Sequence, residues 1–229
     1  MVTVAQPQGR GVRTSTMASP RLTRVLGVVA LTGAAVWVIT IAAFHAIRPD
    51  LDPGNAYISN YARGDWAWVM RLAFAVNGAG WIAAGLGLRR ALPATRARSW
   101  LTALTVTGGA AIIVAGAFRA DPLGSATHSL EATIHGRAAA VAFVTLTLAG
   151  FAGWRAARTA DAWRGWAVPS LAYGVVAATL LITYVAWPVV ADDGFGWWQR
   201  ALAWATIPGA LAAVGTGLVS GRGSGPGVR

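Results

Sequence analysis

Cysteine and lysine are both absent from this sequence, and only 12% of its residues are charged. The absence of cysteine excludes a disulfide framework, thiolate catalysis and zinc–thiolate sites. A soluble globular domain carries about 25% charged residues. The low charge, together with a hydrophobic content of 55%, therefore indicates a chain whose surroundings are largely apolar. All 19 basic residues are arginine, a preference typical of GC-rich bacteria.

Long apolar stretches recur along the chain. An apolar helix needs about 20 residues to cross the hydrocarbon layer, and six stretches of that length are predicted as spans: 25–47, 66–88, 99–118, 134–154, 167–190 and 199–220. They lack the alternation of barrel strands. We therefore predict an all-α fold, a six-transmembrane-helix bundle over residues 25–220. Residues 1–24 and 221–229 are predicted to be mobile tails, and Met17 is an alternative start to Met1.

The charges are distributed unequally between the two sides of these spans. One side, with both tails, holds thirteen arginines and a single acid, whereas the other holds six arginines, seven acids and all three histidines. Because arginine-rich loops stay in the cytoplasm, we predict a multi-pass plasma-membrane protein with cytoplasmic N and C termini. Arginines at the ends of the spans account for the net charge of +11, so no nucleic-acid partner is predicted.

The first outer loop, residues 48–65, contains Asp52, Tyr57, Ser59 and Asn60 among turn-forming prolines and glycine. One interpretation is a solvated loop with Asx turns and an interfacial aromatic belt. The other is that these polar side chains fold over the bundle as a lid or binding loop. The sequence leaves both interpretations open.

The second outer loop leads into a stripe of possible metal ligands. His128, Glu131 and His135 follow one another at helical spacing on one face of the fourth helix. Two imidazoles and a carboxylate suit zinc or another divalent metal, and His45 is a candidate third imidazole from the first helix. The alternative is an ordinary helical pair of Glu131 and His135.

Three arginines lie where a helix enters the membrane from outside, at Arg71, Arg137 and Arg200. A helix N-terminus carries partial positive charge, so arginine there indicates an anionic group nearby. A lipid phosphate held by arginine and backbone N–H groups satisfies this. Snorkelling to the head-group layer with structural ion pairs is the alternative. Trp197 belongs to a tryptophan-rich boundary that is either an aromatic belt or a cage for a cation.

Several short motifs carry a family resemblance. They are Asp52-Pro53, Tyr57-Ile58-Ser59-Asn60-Tyr61-Ala62-x-Gly64, Arg119-Ala-Asp121-Pro122, His135-Gly136 and Gly194-x-x-x-x-Gln199-Arg200. Together, over about Val25 to Ser220, they resemble a bacterial six-helix membrane family catalogued as domain of unknown function 998. The resemblance implies a polytopic protein with its recurring polar residues in the outer loops and no defined activity. Matched residue by residue, it implies Asp52, Ser59, Asp121, His135 and Arg200 as site residues.

The leading hypothesis is an outer-facing pocket that binds an anionic lipid or isoprenoid-phosphate head group. The candidate catalytic residues are Asp52, Ser59, Asp121 and His135, and the candidate ligand-binding residues are Arg71, Arg200, Tyr57, Asn60 and Trp197. An intramembrane enzyme is a second hypothesis. It is either a hydrolase with metal on His45, His128 and His135, or a terpenoid cyclase with an outer aspartate as general acid. The third is a structural partner subunit of a membrane complex. Apart from this metal, no cofactor is predicted.

Overall fold

The computed structural model describes residues 19–186, 194–206 and 208–221, and in these ranges it contains helices and turns without strands. The helices are α1 (Pro20–Ile47), α2 (Ala67–Ala91), α3 (Arg96–Ala117), α4 (Leu130–Ala157), α5 (Ala167–Ala186), α6 (Phe195–Thr206) and α7 (Pro208–Val219). Two 3₁₀ helices, Ile58–Ala62 and Asp161–Trp166, lie in the connections. The predicted all-α fold is confirmed.

Six helical segments are long and apolar enough to cross a membrane, with α6 and α7 forming the last of them. The prediction of six spans is thereby confirmed, and the chain is a multi-pass membrane protein. Four spans begin three to five residues before their predicted starts, and in two of them, α3 and α4, the side chains of Thr95 and Ser129 cap the extended start. Of the tails predicted at 1–24 and 221–229, residues 1–18 and 222–229 lie outside the described residues, as do Asp192 and Asp193, whereas residues 20–24 belong to α1.

The helices pack in chain order around the bundle. Each helix from α1 to α5 packs against the next, α6 packs against α5, and α7 closes the arrangement on α1 and α2. Glycine allows the closest approaches: a Cβ at Gly33 would lie 3.1 Å from the Cα of Gly80, and one at Gly150 would lie 2.7 Å from the Cα of Gly174. Small residues at such crossings let helix backbones approach closely in the membrane.

The loops 48–66 and 118–129 lie at one end of the bundle, which we call the acidic end. The first loop folds over the helices there, since every residue of Ile58–Ala62 is buried. Tyr61 is fully enclosed, and its ring centroid lies 5.4 Å from that of Phe44 in α1. Of the two interpretations of this loop, the folded lid therefore describes the structure better than a solvated loop.

Candidate functional site

The first loop is tied to the start of α6 by a tight turn. The Asp52 carboxylate accepts hydrogen bonds from the Gly54 N–H (3.0 Å) and the Asn55 amide (2.9 Å). The Gly54 carbonyl accepts from the Gly196 N–H (2.7 Å), and the Asn55 side-chain oxygen accepts from the Gly194 N–H (3.0 Å). A Cβ at Gly196 would overlap the carbonyls of this turn. Asp52, a predicted catalytic residue, thus shapes the loop through an Asx turn.

The Arg200 guanidinium lies inside the folded loop and is 3% exposed. Its Nη1 donates to the carbonyl oxygens of Pro53 (2.8 Å) and Ala56 (2.6 Å), and its Nη2 donates to the Tyr61 hydroxyl (3.0 Å). No carboxylate pairs with this cation in the described part of the chain. Arg200 was predicted to bind a ligand, and in the structure its donors instead hold the loop closed.

His45 completes the contacts of this guanidinium. Its Nδ1 lies 2.7 Å from the Ile41 carbonyl oxygen, and its Nε2 lies 3.2 Å from Nε of Arg200. A carbonyl only accepts and a guanidinium only donates, so the hydrogen is on Nδ1 and Nε2 is the acceptor. The lone pair that a metal ion would require is therefore already engaged.

The three histidines of the predicted metal site do not come together. His45 faces Arg200, the His128 side chain is 83% exposed, and His135 is buried beneath the loops. Within residues 19–186, 194–206 and 208–221, no three histidine or acidic side chains are grouped as metal ligands. Glu131, the carboxylate of the stripe, pairs with Arg119 at 2.9 Å. The structure therefore does not form the predicted zinc site, because His128 lies in the loop before α4 while His135 turns toward the Ala115 carbonyl of α3.

Asp121 supports the start of α4. Its two carboxylate oxygens accept from the backbone N–H (2.8 Å) and hydroxyl (2.7 Å) of Ser129, whose hydroxyl in turn accepts from the Ala132 N–H (3.1 Å). These hydrogen bonds from Ser129 hold the pKa of the Asp121 carboxyl below its usual range. A carboxyl with a lowered pKa is a poor proton donor, which argues against Asp121 as the general acid of a cyclase.

Arg71 satisfies carbonyl groups at the C-terminus of α3. Its Nε donates to the Gly116 carbonyl (3.1 Å) and its Nη2 to the Ala117 carbonyl (2.6 Å). The negative end of the α3 dipole stabilises this cation, so no anionic ligand is needed to explain its position. Arg137 is exposed on the outside of α4.

His135 provides an unused hydrogen-bond acceptor beneath the loops. It is 9% exposed, and its Nδ1 lies 2.7 Å from the Ala115 carbonyl oxygen and 3.2 Å from that of Phe118. Both carbonyls are acceptors, so Nδ1 carries the hydrogen and Nε2 presents a lone pair. That lone pair has no hydrogen-bond partner among the residues that the structure describes.

Two other polar groups lie beside His135. Ser59 belongs to the buried 3₁₀ helix and is 6% exposed, and its hydroxyl has no partner within the described ranges. The Gln199 side-chain oxygen accepts from the Ile58 N–H at 2.8 Å. The NH₂ group of Gln199 has no hydrogen-bond partner in the part of the chain that the structure describes. The hydrogen bond from Ile58 to Gln199 therefore joins the buried 3₁₀ helix to α6.

These three side chains line a cavity between the loops, α4 and α5. The cavity has a volume of about 390 Å³. It shares His135, Ser59, Gln199 and Phe143 with a second, deeper cavity of about 50 Å³ among apolar side chains. Asp121 and the second loop form its wall at the acidic end, whereas Val185, which is 76% exposed, belongs to its wall on α5. The α5 wall consists of Leu181, Tyr184 and Val185, so the cavity combines polar groups of the loops, α4 and α6 with a largely apolar side on α5.

Of the remaining predicted ligand-binding residues, Tyr57 and Asn60 lie at the larger cavity and Trp197 lies outside it. Tyr57 and Asn60 line the larger cavity, and the Asn60 side chain also accepts from the Tyr57 N–H at 2.7 Å. Trp197 is 58% exposed, with its ring centroid 5.9 Å from the Arg200 guanidinium. Sequence reasoning missed Gln199 as a lining residue, although it stands in the motif at the entry of the last span.

The fold and cavity define a class: a multi-pass helical membrane protein with a polar–apolar cavity beneath its loops at the acidic end. A family model described as "Protein of unknown function (DUF998)" matches residues 21–219. The chain belongs to this family, so the resemblance inferred from the loop motifs is confirmed. No curated protein and no solved structure matches it.

Proposed function

We propose that this protein binds a membrane lipid, with the lipid head in the 390 Å³ cavity and the tail along the seam between α4 and α5. The observation that carries the proposal is the lining of the cavity. Hydrogen-bonding groups of the loops, α4 and α6 converge on the cavity, and Leu181 and Val185, with Tyr184 between them, extend its wall along the exposed surface of α5. Ligand sites are typically apolar cavities of about 300–1,000 Å³ with a few convergent polar groups.

In the orientation predicted from the arginines, this cavity faces the outer leaflet of the plasma membrane. The sequence hypothesis of an anionic head group depended on Arg71 and Arg200. Both donate to backbone carbonyls, and neither lines the cavity. The proposal therefore keeps the outer-facing lipid site and does not require a phosphate. A structural partner subunit stays a prediction, in which the loops dock a second protein.

A cavity-filling variant tests the proposal. Ala139 lines both cavities, so Ala139→Phe fills the space that the lipid head would occupy. Val141 is exposed on the same helix and does not line either cavity, so Val141→Phe is the matched control. Lipid retained after purification in a mild detergent is measured by native mass spectrometry.

The expected result is a bound lipid in the wild type and in Val141→Phe, and its loss in Ala139→Phe. Thermal unfolding in lipid-free detergent checks that Ala139→Phe is folded. Equal lipid retention by a folded Ala139→Phe variant and by the wild type would contradict a site in this cavity.

A further inference from the structure

We infer that the head group held in this cavity is uncharged and carries a hydroxyl group. The inference rests on the proposed lipid site and adds its chemical specificity. It follows from the charges in the lining and from which hydrogen-bonding groups of the lining are still unused.

The lining provides no arginine or lysine to pair with an anion, and its exposed imidazole, His128, already lies 3.8 Å from the Asp121 carboxylate. None of the residues around either cavity is arginine, and the sequence contains no lysine. An unpaired charge in apolar surroundings is strongly unfavourable. A phosphate that reached His135 would meet a lone pair on Nε2 instead of a donor. A phosphorylated head is therefore disfavoured at this depth.

The lining also lacks a partner for a cation at the inner end. Asp121 is the acid of the wall; it belongs to the second loop and not to the inner end, and its carboxylate is held there by Ser129 and lies 3.8 Å from His128. Around His135 the wall consists of groups such as Phe143 and Ala139. An ammonium head would lose its hydration there without gaining a counter-ion.

A hydroxyl group matches the unused groups on both sides. It donates to Nε2 of His135, which is fixed as an acceptor by the Ala115 carbonyl, and it accepts from the NH₂ of Gln199, whose oxygen is taken by Ile58. Ser59 can accept or donate in the same cavity. A hydroxyl both donates and accepts, so it pairs with these groups without burying charge. Diacylglycerols and long-chain isoprenoid alcohols share this chemistry.

The experiment compares lipids with the same acyl chains and different heads. The protein in nanodiscs is titrated with dioleoylglycerol, dioleoylphosphatidic acid or dioleoylphosphatidylethanolamine, and the bound lipid is quantified by native mass spectrometry. We expect dioleoylglycerol to bind at least about tenfold more tightly than either charged lipid, the equivalent of about 1.4 kcal/mol. Geranylgeraniol, tested in parallel, distinguishes an isoprenoid alcohol from a diacylglycerol.

Two variants of His135 separate the acceptor from its structural hydrogen bond. His135→Asn retains a donor at the position of Nδ1 and removes the acceptor at Nε2, whereas His135→Gln places an amide oxygen near the position of Nε2. We expect dioleoylglycerol affinity to fall about tenfold in His135→Asn and to stay within about threefold of the wild type in His135→Gln.

The outcomes are distinguishable. Tighter binding of phosphatidic acid or phosphatidylethanolamine in the same cavity would overturn the uncharged head group and leave the lipid site standing. Unchanged dioleoylglycerol affinity in a folded His135→Asn variant would overturn the role of Nε2. Lipid binding that is indifferent to Ala139→Phe would remove the proposed site itself.

Discussion

Replacing Arg200 by lysine tests whether this buried cation holds the first loop closed. Lysine keeps the charge but cannot span the carbonyls of Pro53 and Ala56 and the Tyr61 hydroxyl at once. A buried group left without its hydrogen bond costs about 1–3 kcal/mol. With two such groups left unpaired, we expect Arg200→Lys to lower the free energy of loop opening by about 3 kcal/mol.

The absence of cysteine makes this opening measurable. Ala62 lies in the buried 3₁₀ helix and is 6% exposed, so the thiol of an Ala62→Cys variant reacts with a maleimide only when the loop opens. A loss of about 3 kcal/mol corresponds to labelling about 100-fold faster. Arg137→Lys in the same background is the control. Arg137 is exposed, and its substitution is expected to change the rate less than about threefold.

An Arg200→Lys variant that labels at the rate of the control would refute this reasoning. The guanidinium would then be buried without stabilising the loop. Labelling that is already fast in the Ala62→Cys background alone would show that the loop is open in the membrane, which contradicts the packing of Tyr61 against Phe44.

Three further predictions concern stability, each measured by thermal unfolding in detergent. The Asp121 carboxylate, whose pKa is lowered from 3.8 by the hydrogen bonds of the N-cap serine, stabilises α4 above that pH. This support is lost as the pH falls through the lowered pKa, and Asp121→Asn is expected to abolish that dependence. Gly109→Ala would place a Cβ 2.5 Å from a carbonyl of α2 and is expected to cost about 1–3 kcal/mol, whereas Gly136→Ala meets no atom within 4 Å and is expected to stabilise α4 by about 0.5–1 kcal/mol. Arg71→Ala uncaps α3 and is expected to cost about 1 kcal/mol. Equal stabilities of Gly109→Ala and Gly136→Ala would contradict the close approach at Gly109. A pH dependence that survives in Asp121→Asn, or an Arg71→Ala variant as stable as the wild type, would contradict the contact concerned.

The spans were predictable from the sequence because hydrocarbon imposes a length and an apolar composition on every crossing helix. The first residues of the helices were predicted less accurately, because an apolar run marks the membrane-crossing part of a helix and not the polar residues before it. α4 begins at Leu130, where Asp121 and Ser129 support its first turn, although the apolar run starts later. Capping depends on individual hydrogen bonds, which hydropathy does not register.

The roles of the polar residues depended on contacts between distant parts of the chain. Arg71 and Arg200 were predicted to bind an anion, because each lies at an unfavourable helix start. The structure explains both placements by carbonyl groups on other elements, 46 and 144 residues away. No local pattern specifies such partners. His135 was selected as a possible metal ligand and through the family resemblance, and it does lie in the cavity wall.

The contact between the first loop and Arg200 also constrains the order of assembly. Tyr61 and Arg200 are 139 residues apart, one after the first span and the other in the last. Chains are synthesised from the N-terminus, so the loop lacks its cationic centre until the sixth span has left the ribosome. Translation must therefore be nearly complete before the first loop can close over the bundle. A chain truncated in α5 would lack Arg200, and its first loop would have no guanidinium to hold it in place.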